Sequence, residues 1–360
     1  MRWELSEEQE MFTEALDAWL ERFATPGNIR KWGESGDAAE FEQKFVEEGW
    51  FSVGLSEELG GQGGGLLELA LTAEALGRFA APSSAWTATV LAAPLLPREV
   101  ASDVLNGGGF AALAVDSTHP FEESTGGVEL GAGGALTGSV NAVLGADRAR
   151  FLLVPASGAD GLSLHLVDVD APGVLVQPRR FLDPSRSAAD LRFEHVVGQR
   201  LDVDASSALA GAGLRAAVLV AADSLGAMDR MLRLAVDYSK QRYQFGQPIG
   251  SFQAVKHAAA TILVSVEAGR SIAYYAAASV DLGLQDCAMH AAIAKAQVPS
   301  SAVRAADSAL LMHGAIGYTW EHDLHLYYKR SKLDEQLLGG SGVWNERVAQ
   351  ALPLVPMAHC

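Results

Sequence analysis

Hydrophobic periodicity changes twice along this chain, near Gly108 and again near Ala205. A helix repeats its apolar residues every three or four positions and a strand every second, so two switches of period divide the chain into three blocks. The first block opens with Ser6 and Gln9 spaced as a capping box, ahead of Phe12, Ala15, Leu16, Trp19, Leu20 and Phe23 at helical spacing. Thr25-Pro26-Gly27-Asn28 is expected to stop that helix. Further helices are expected from about Ala38 to Glu48 and from Leu66 to about Phe79, the second after a glycine-rich run, Gly60 to Gly65, read as a flexible turn. Between Phe110 and Leu201, short apolar runs such as Ala111–Val115, Phe151–Pro155 and Leu162–Val169 alternate with Gly, Ser, Asp and Pro. That is the pattern of a small antiparallel sheet or barrel. Three long helical patterns follow, over about Ser207–Gln241, Phe252–Leu284 and Gln285–Met312, as in an up-and-down bundle. The expected fold class is α+β: a helical domain over 1–108, a middle antiparallel β domain over 109–203 and a C-terminal four-helix-type bundle over 204–360.

Charge narrows the function. The 27 basic and 44 acidic side chains leave −17, and such a surface repels phosphate backbones and anionic lipid, so neither nucleic acid nor membrane is an expected partner. Ala216–Ala222, among the longer uninterrupted apolar runs, falls well short of the roughly 18 residues a membrane span needs. The start, Met1-Arg-Trp-Glu4, turns acidic at once and lacks a signal peptide's apolar stretch. Cys287 and Cys360 make neither a disulfide framework nor a zinc site, which fits a reducing cytoplasm. His322 and His325, three apart, lack a third ligand at metal spacing, so no metal is expected and a hydrogen-bonded interface helix is the reading for this segment.

Three motifs carry a resemblance. Glu48-Gly-Trp-Phe-Ser-Val-Gly-Leu-Ser-Glu-Glu-Leu-Gly-Gly-Gln-Gly63, with Glu74-Ala-Leu-Gly-Arg78 ending the next helix, is the first. Arg242-Tyr-Gln-Phe-Gly-Gln-Pro-Ile249, running on through Phe252-Gln253, is the second. His313-Gly-Ala-Ile-Gly-Tyr-Thr-Trp-Glu-His-Asp-Leu-His-Leu-Tyr327 is the third. In this order they resemble the acyl-CoA dehydrogenase family, over nearly the whole chain. The resemblance implies FAD as cofactor and an acyl-CoA thioester as substrate, desaturated at its α and β carbons, with the electrons passed to an electron-transfer acceptor. It places Arg242, Gln244, Phe245 and Ile249 at a turn that reaches a partner's FAD. Arg is suited to this because its planar fork pairs with phosphate oxygens. It places Leu311, Gly314 and Ala315 beside the same cofactor, where Leu311 and Ala315 stand in for the family's usual Gln and Gly.

The family's catalytic carboxylate is missing from where the resemblance puts it. Counting forward from Lys332 gives Leu338, counting back from Arg347 gives Gly340, and the alternative position on the first long bundle helix is Ala216. Asp223 lies about 10 Å further along that helix. Asp334 and Glu335 remain as bases if the loop is re-registered. No Thr-Glu-Pro run precedes Leu136, and Ala142 and Leu144 occupy the places of a Trp and a Thr that would cradle the flavin ring. The whole resembles the non-catalytic subunit of actinobacterial heteromeric α2β2 acyl-CoA dehydrogenases, several of which act on steroid side-chain thioesters. The expected partner is then a homologous catalytic subunit. The alternatives are a homotetrameric dehydrogenase with a relocated base and a flavin-free scaffold.

Overall fold

The computed structural model describes residues 5–124, 127–131 and 133–352; Cys360 lies outside them. Six helices come first: α1 Glu7–Phe23, α2 Pro26–Ser35, α3 Ala39–Glu47, α4 Leu66–Arg78, α5 Ser84–Ala92 and α6 Arg98–Leu105. The capping box at Ser6 and Gln9 forms as expected. Thr25-Pro26 does more than stop α1, because Thr25 accepts from the Asn28 N–H and Pro26 is the first residue of α2. A threonine cap followed by proline satisfies one free N–H and removes another, which is a start signal as much as a stop. The glycine-rich run is no flexible turn. Gly54 and Gly63 exchange bonds with each other's neighbourhood (Gly54 N to Gly63 O, Gly63 N to Leu55 O, both 2.8 Å), and Gln62 Nε2 reaches Gly49 O at 2.8 Å.

The middle strands are β1 Phe110–Leu113, β2 Val128–Leu130, β3 Ala135–Leu144, β4 Ala149–Gly158, β5 Gly161–Asp168, β6 Val174–Arg180, β7 Ser187–Val197 and β8 Gln199–Arg200. They form one sheet in the order β6-β7-β3-β2-β4-β5-β8. The sheet is mostly antiparallel, but β1 and β2 each pair parallel with β4, at opposite ends of it. The bundle holds α7 Ala205–Gln241, α8 Gln253–Asp281, α9 Cys287–His313, α10 Leu324–Gln336 and α11 Ser341–Ala351. Between α7 and α8 a small hairpin, β9 Tyr243–Gln244 and β10 Gln247–Pro248, projects from the helix ends. By length and composition α7 could cross a membrane, yet 61% of its most apolar stretch is buried inside this fold.

Glycine sets the distance between α4 and α7. A Cβ on Gly77 would lie 2.0 Å from the Asp223 carbonyl oxygen, and one on Gly226 would lie 1.8 Å from that of Glu74. The helices therefore touch backbone to backbone, and the Gly in Glu74-Ala-Leu-Gly-Arg78 is a packing requirement. Asp281, at the end of α8, accepts from the Leu66 N–H at 2.7 Å and so caps α4 from the bundle.

A buried charge cluster joins all three parts. Arg330, fully buried on α10, donates from Nε and Nη2 to Asp223 of α7, each at 2.7 Å. Its remaining N–H groups reach Ala81 O (2.8 Å), Ser83 Oγ (2.8 Å) and Ser185 Oγ (3.0 Å). Arg186 sits 3.0 Å from both Asp223 and Asp334. Burial pushes the Asp223 carboxyl up, but Arg186 and Arg330 overrule it and hold the group below its ordinary range. Asp334 goes the other way, well above its ordinary range, through burial and the Asp223 charge. Arg330→Met, which leaves Asp223 buried and short of a partner, is expected to cost about 3–5 kcal/mol in urea unfolding. Asp334→Asn, a near-isosteric change at a carboxyl whose ionised form burial and the Asp223 charge disfavour, is expected to cost less, under about 1.5 kcal/mol.

Candidate functional site

Where α5, α7 and the sheet converge they leave an apolar cavity of about 30 Å³. Ala216 and Val220 of α7 form one wall, Leu337 and Leu338 of the α10–α11 loop close another, and Leu144 at the end of β3 faces them with Phe121. Thr87 and Ser117 supply the polar atoms of the lining, and no carboxylate is part of it. The two positions at which the resemblance puts a catalytic base, Ala216 and Leu338, are therefore brought to one chamber although far apart in sequence. Gly340 is not in its lining; it is the N-cap residue of α11. Asp334 is held in the buried charge cluster, and Glu335 accepts from the Ser341 N–H at 3.0 Å, capping α11. Neither carboxylate lines the chamber.

The residues that the resemblance puts beside a flavin ring, Ala142 and Leu144, are engaged within the chain. Ala142, at φ +51°, donates its N–H to Asp190 at 2.8 Å, and its carbonyl accepts from the Ser117 hydroxyl. With the backbone groups engaged internally, Leu144 in the wall and room for about one water, these residues do not fit an isoalloxazine ring.

The second face points outward. Arg242 caps α7, and its carbonyl accepts from the Ile249 N–H at 2.8 Å, which closes the base of the hairpin. Phe245 and Gly246 form the turn at φ +53° and +80°, the left-handed pair that a two-residue hairpin turn needs. Such a φ is unfavourable for an aromatic residue, yet Phe245 is held 91% exposed, edge-on to Phe252 at 6.1 Å. Among the described residues the exposed Arg242 guanidinium has no hydrogen bond or ion pair, so its fork is free for a ligand or partner. Gln244 is exposed on the hairpin, and Ile249 is half-buried at its foot. The His313 turn stands alongside, since Tyr238 near the end of α7 stacks on His313 at 4.7 Å. It presents Leu311 (81% exposed), Gly314 at φ +65°, Ala315, Tyr318 and Trp320. Burial holds the His313 and His322 imidazoles below their ordinary range.

The two histidines considered for a metal do not share a helix face. His322 precedes α10 and accepts from the Leu324 N–H at 3.1 Å, while His325 lies on α10 against Trp320 at 4.9 Å. No group of three or more metal-ligating side chains occurs among the described residues. Sequence reasoning missed Arg186 and Lys295. Lys295 is fully buried, donates to the carbonyls of Glu335 (3.2 Å) and Gly339 (3.0 Å), and is pulled down to about 8 by burial. Its signal was a lone charge inside the alanine-rich run Ala291–Ala296.

Residues 6–99 match the acyl-CoA dehydrogenase N-terminal domain, and residues 214–352 match the acyl-CoA dehydrogenase C-terminal domain. The acyl-CoA dehydrogenase IpdE2 of Mycolicibacterium smegmatis is 32% identical over 338 residues, 93% of this chain and 96% of that protein. A chain of the ChsE4-ChsE5 complex from Mycobacterium tuberculosis has the same fold, with TM-score 0.85 and 25% identity over 99% of this chain and 100% of that one. A chain of the Tcur3481-Tcur3483 steroid ACAD gives TM-score 0.86 and 27% identity over 96% and 97%. By its terminal domains and by a relative of nearly equal extent, this chain belongs to the acyl-CoA dehydrogenase family.

Proposed function

We propose that this chain is the non-catalytic subunit of a heteromeric, FAD-dependent acyl-CoA dehydrogenase. Its role is to hold the adenosine and pyrophosphate end of an FAD whose ring lies in a homologous catalytic subunit. One observation carries the reading. Ala216 and Leu338 meet in a small apolar chamber without a carboxylate in its lining, while the Arg242–Phe245 hairpin projects from the body and Arg242 has no hydrogen bond or ion pair among the described residues. A base for α-proton removal must lie within hydrogen-bond reach of the carbon acid, and no carboxylate is among the residues that line this chamber. Bound FAD supplies hydride acceptance from the β carbon. This chain contributes the Arg242 fork, which pairs with phosphate oxygens, and the apolar Phe245 platform. Likeness to chains of ChsE4-ChsE5 and of the Tcur3481-Tcur3483 steroid ACAD supports two further elements: pairing with a homologous chain, and a substrate that is a steroid CoA thioester. The electrons pass on to an electron-transfer acceptor.

The isolated chain is expected to show no acyl-CoA dehydrogenation with an artificial acceptor, and Ala216→Glu is expected not to create any, because the ring cradle is missing as well as the base. Turnover by the isolated chain that Glu335→Gln abolishes would establish the relocated-base alternative instead. In the co-purified complex, a charge-assisted bond to phosphate is worth about 1.5–3 kcal/mol, so Arg242→Ala is expected to weaken FAD retention roughly ten- to a hundredfold. Arg242→Lys recovers part of the loss, since a point charge replaces a fork. Flavin fluorescence released on dilution measures both. Undiminished retention in an assembled Arg242→Ala complex would favour the scaffold reading.

A further inference from the structure

The α10–α11 loop is built, not merely relaxed into the space a carboxylate has left. Leu338 and the following Gly339 are both left-handed, at φ +60° and +86°. Glycine accepts that region freely, but a leucine there is strained and stays only if its surroundings hold it. They do so from three sides. The Leu338 N–H donates to Ser117 O at 2.7 Å, Trp344 Nε1 donates to the Leu338 carbonyl at 2.8 Å, and Lys295 grips the carbonyls of Glu335 and Gly339 on either side of the strained residue. The Lys295 ammonium is wholly buried, an arrangement that is costly without compensation. Its compensation is electrostatic: the last carbonyls of α10 have no intrahelical partner, and a cation at a helix C-terminus meets the negative end of the dipole. The nearby Glu335 carboxyl adds to this.

We propose that Leu337–Gly340 is a braced plug, in which Leu338 seals the chamber against an acyl chain and Lys295 is the positioning residue that holds the plug in place. The consequence is that this subunit does not compete with its catalytic partner for thioester. That consequence rests on the proposed function; the seal and the brace do not, and they are tested without flavin, partner or acyl-CoA.

The reporter is Ala216→Cys, on the α7 wall of the chamber, in the full chain carrying Cys287→Ser and Cys360→Ser. Its reaction with methyl methanethiosulfonate reads access to the chamber. A second reporter, Met228→Cys, lies on the same helix in fully buried core outside the chamber lining and reads general loosening. Expected results are slow labelling at Ala216→Cys with the plug intact, and labelling at least about tenfold faster after either Leu338→Gly or Lys295→Met, with Met228→Cys still protected. Unchanged labelling after Leu338→Gly overturns the seal. Unchanged labelling after Lys295→Met, or a parallel rise at Met228→Cys, overturns the brace.

Discussion

The fully buried Arg330 guanidinium is the point on which the three parts of this fold depend. It uses all its donors, and they reach a carbonyl and a hydroxyl after α4, a hydroxyl in the segment before β7, and the Asp223 carboxylate on α7. A planar five-donor fork has the geometry for this, whereas a lysine ammonium would leave partners unsatisfied. Two arginines face two aspartates, and the same pair of cations that holds the Asp223 carboxyl low leaves Asp334 high through burial and the Asp223 charge. Such a cluster specifies an arrangement more than it stabilises one, because its desolvation offsets much of its Coulomb energy.

The chamber depends on that arrangement. Asp334 fixes the last turn of α10, and Leu337 and Leu338 follow it directly into the space beside Ala216. The chamber beside Ala216 is lined with hydrocarbon, with Thr87 and Ser117 as its polar members. On the outer surface, the hairpin keeps an aromatic residue in an unfavourable backbone conformation and in water, with an arginine at its foot that has no hydrogen bond or ion pair among the described residues. Neither feature serves the folded chain alone, which is the physical reason to assign them to a partner.

Much of the site was legible because it lies in short contiguous runs. Arg242 to Ile249 is a hairpin by local turn chemistry, with Gly246 at one of its left-handed positions. Ala216 and Leu338 were legible as non-acidic residues at the positions where the resemblance puts a base, and both line the chamber. Counts from the two ends of the α10–α11 loop give Leu338 and Gly340, and of these Leu338 lines the chamber while Gly340 starts α11, in a loop whose left-handed Leu338 no local rule forecasts. The stiffness of the Gly60–Gly65 region also escaped, since it comes from backbone bonds to residues near Gly49 and Leu55.

By itself, then, the sequence determined the order helix, sheet, helix through its two changes of period, the caps at Ser6 and Thr25, and the identity of the motifs, because each of these is a property of neighbours along the chain. Only the tertiary structure decided that Ala216 and Leu338 share one chamber, that the Asp223 and Asp334 carboxyls are shifted in opposite directions, and that Lys295 meets the carbonyls of Glu335 and Gly339. Those facts turn on which groups meet after burial, where a low dielectric makes each pairing decisive, and sequence spacing holds no record of it.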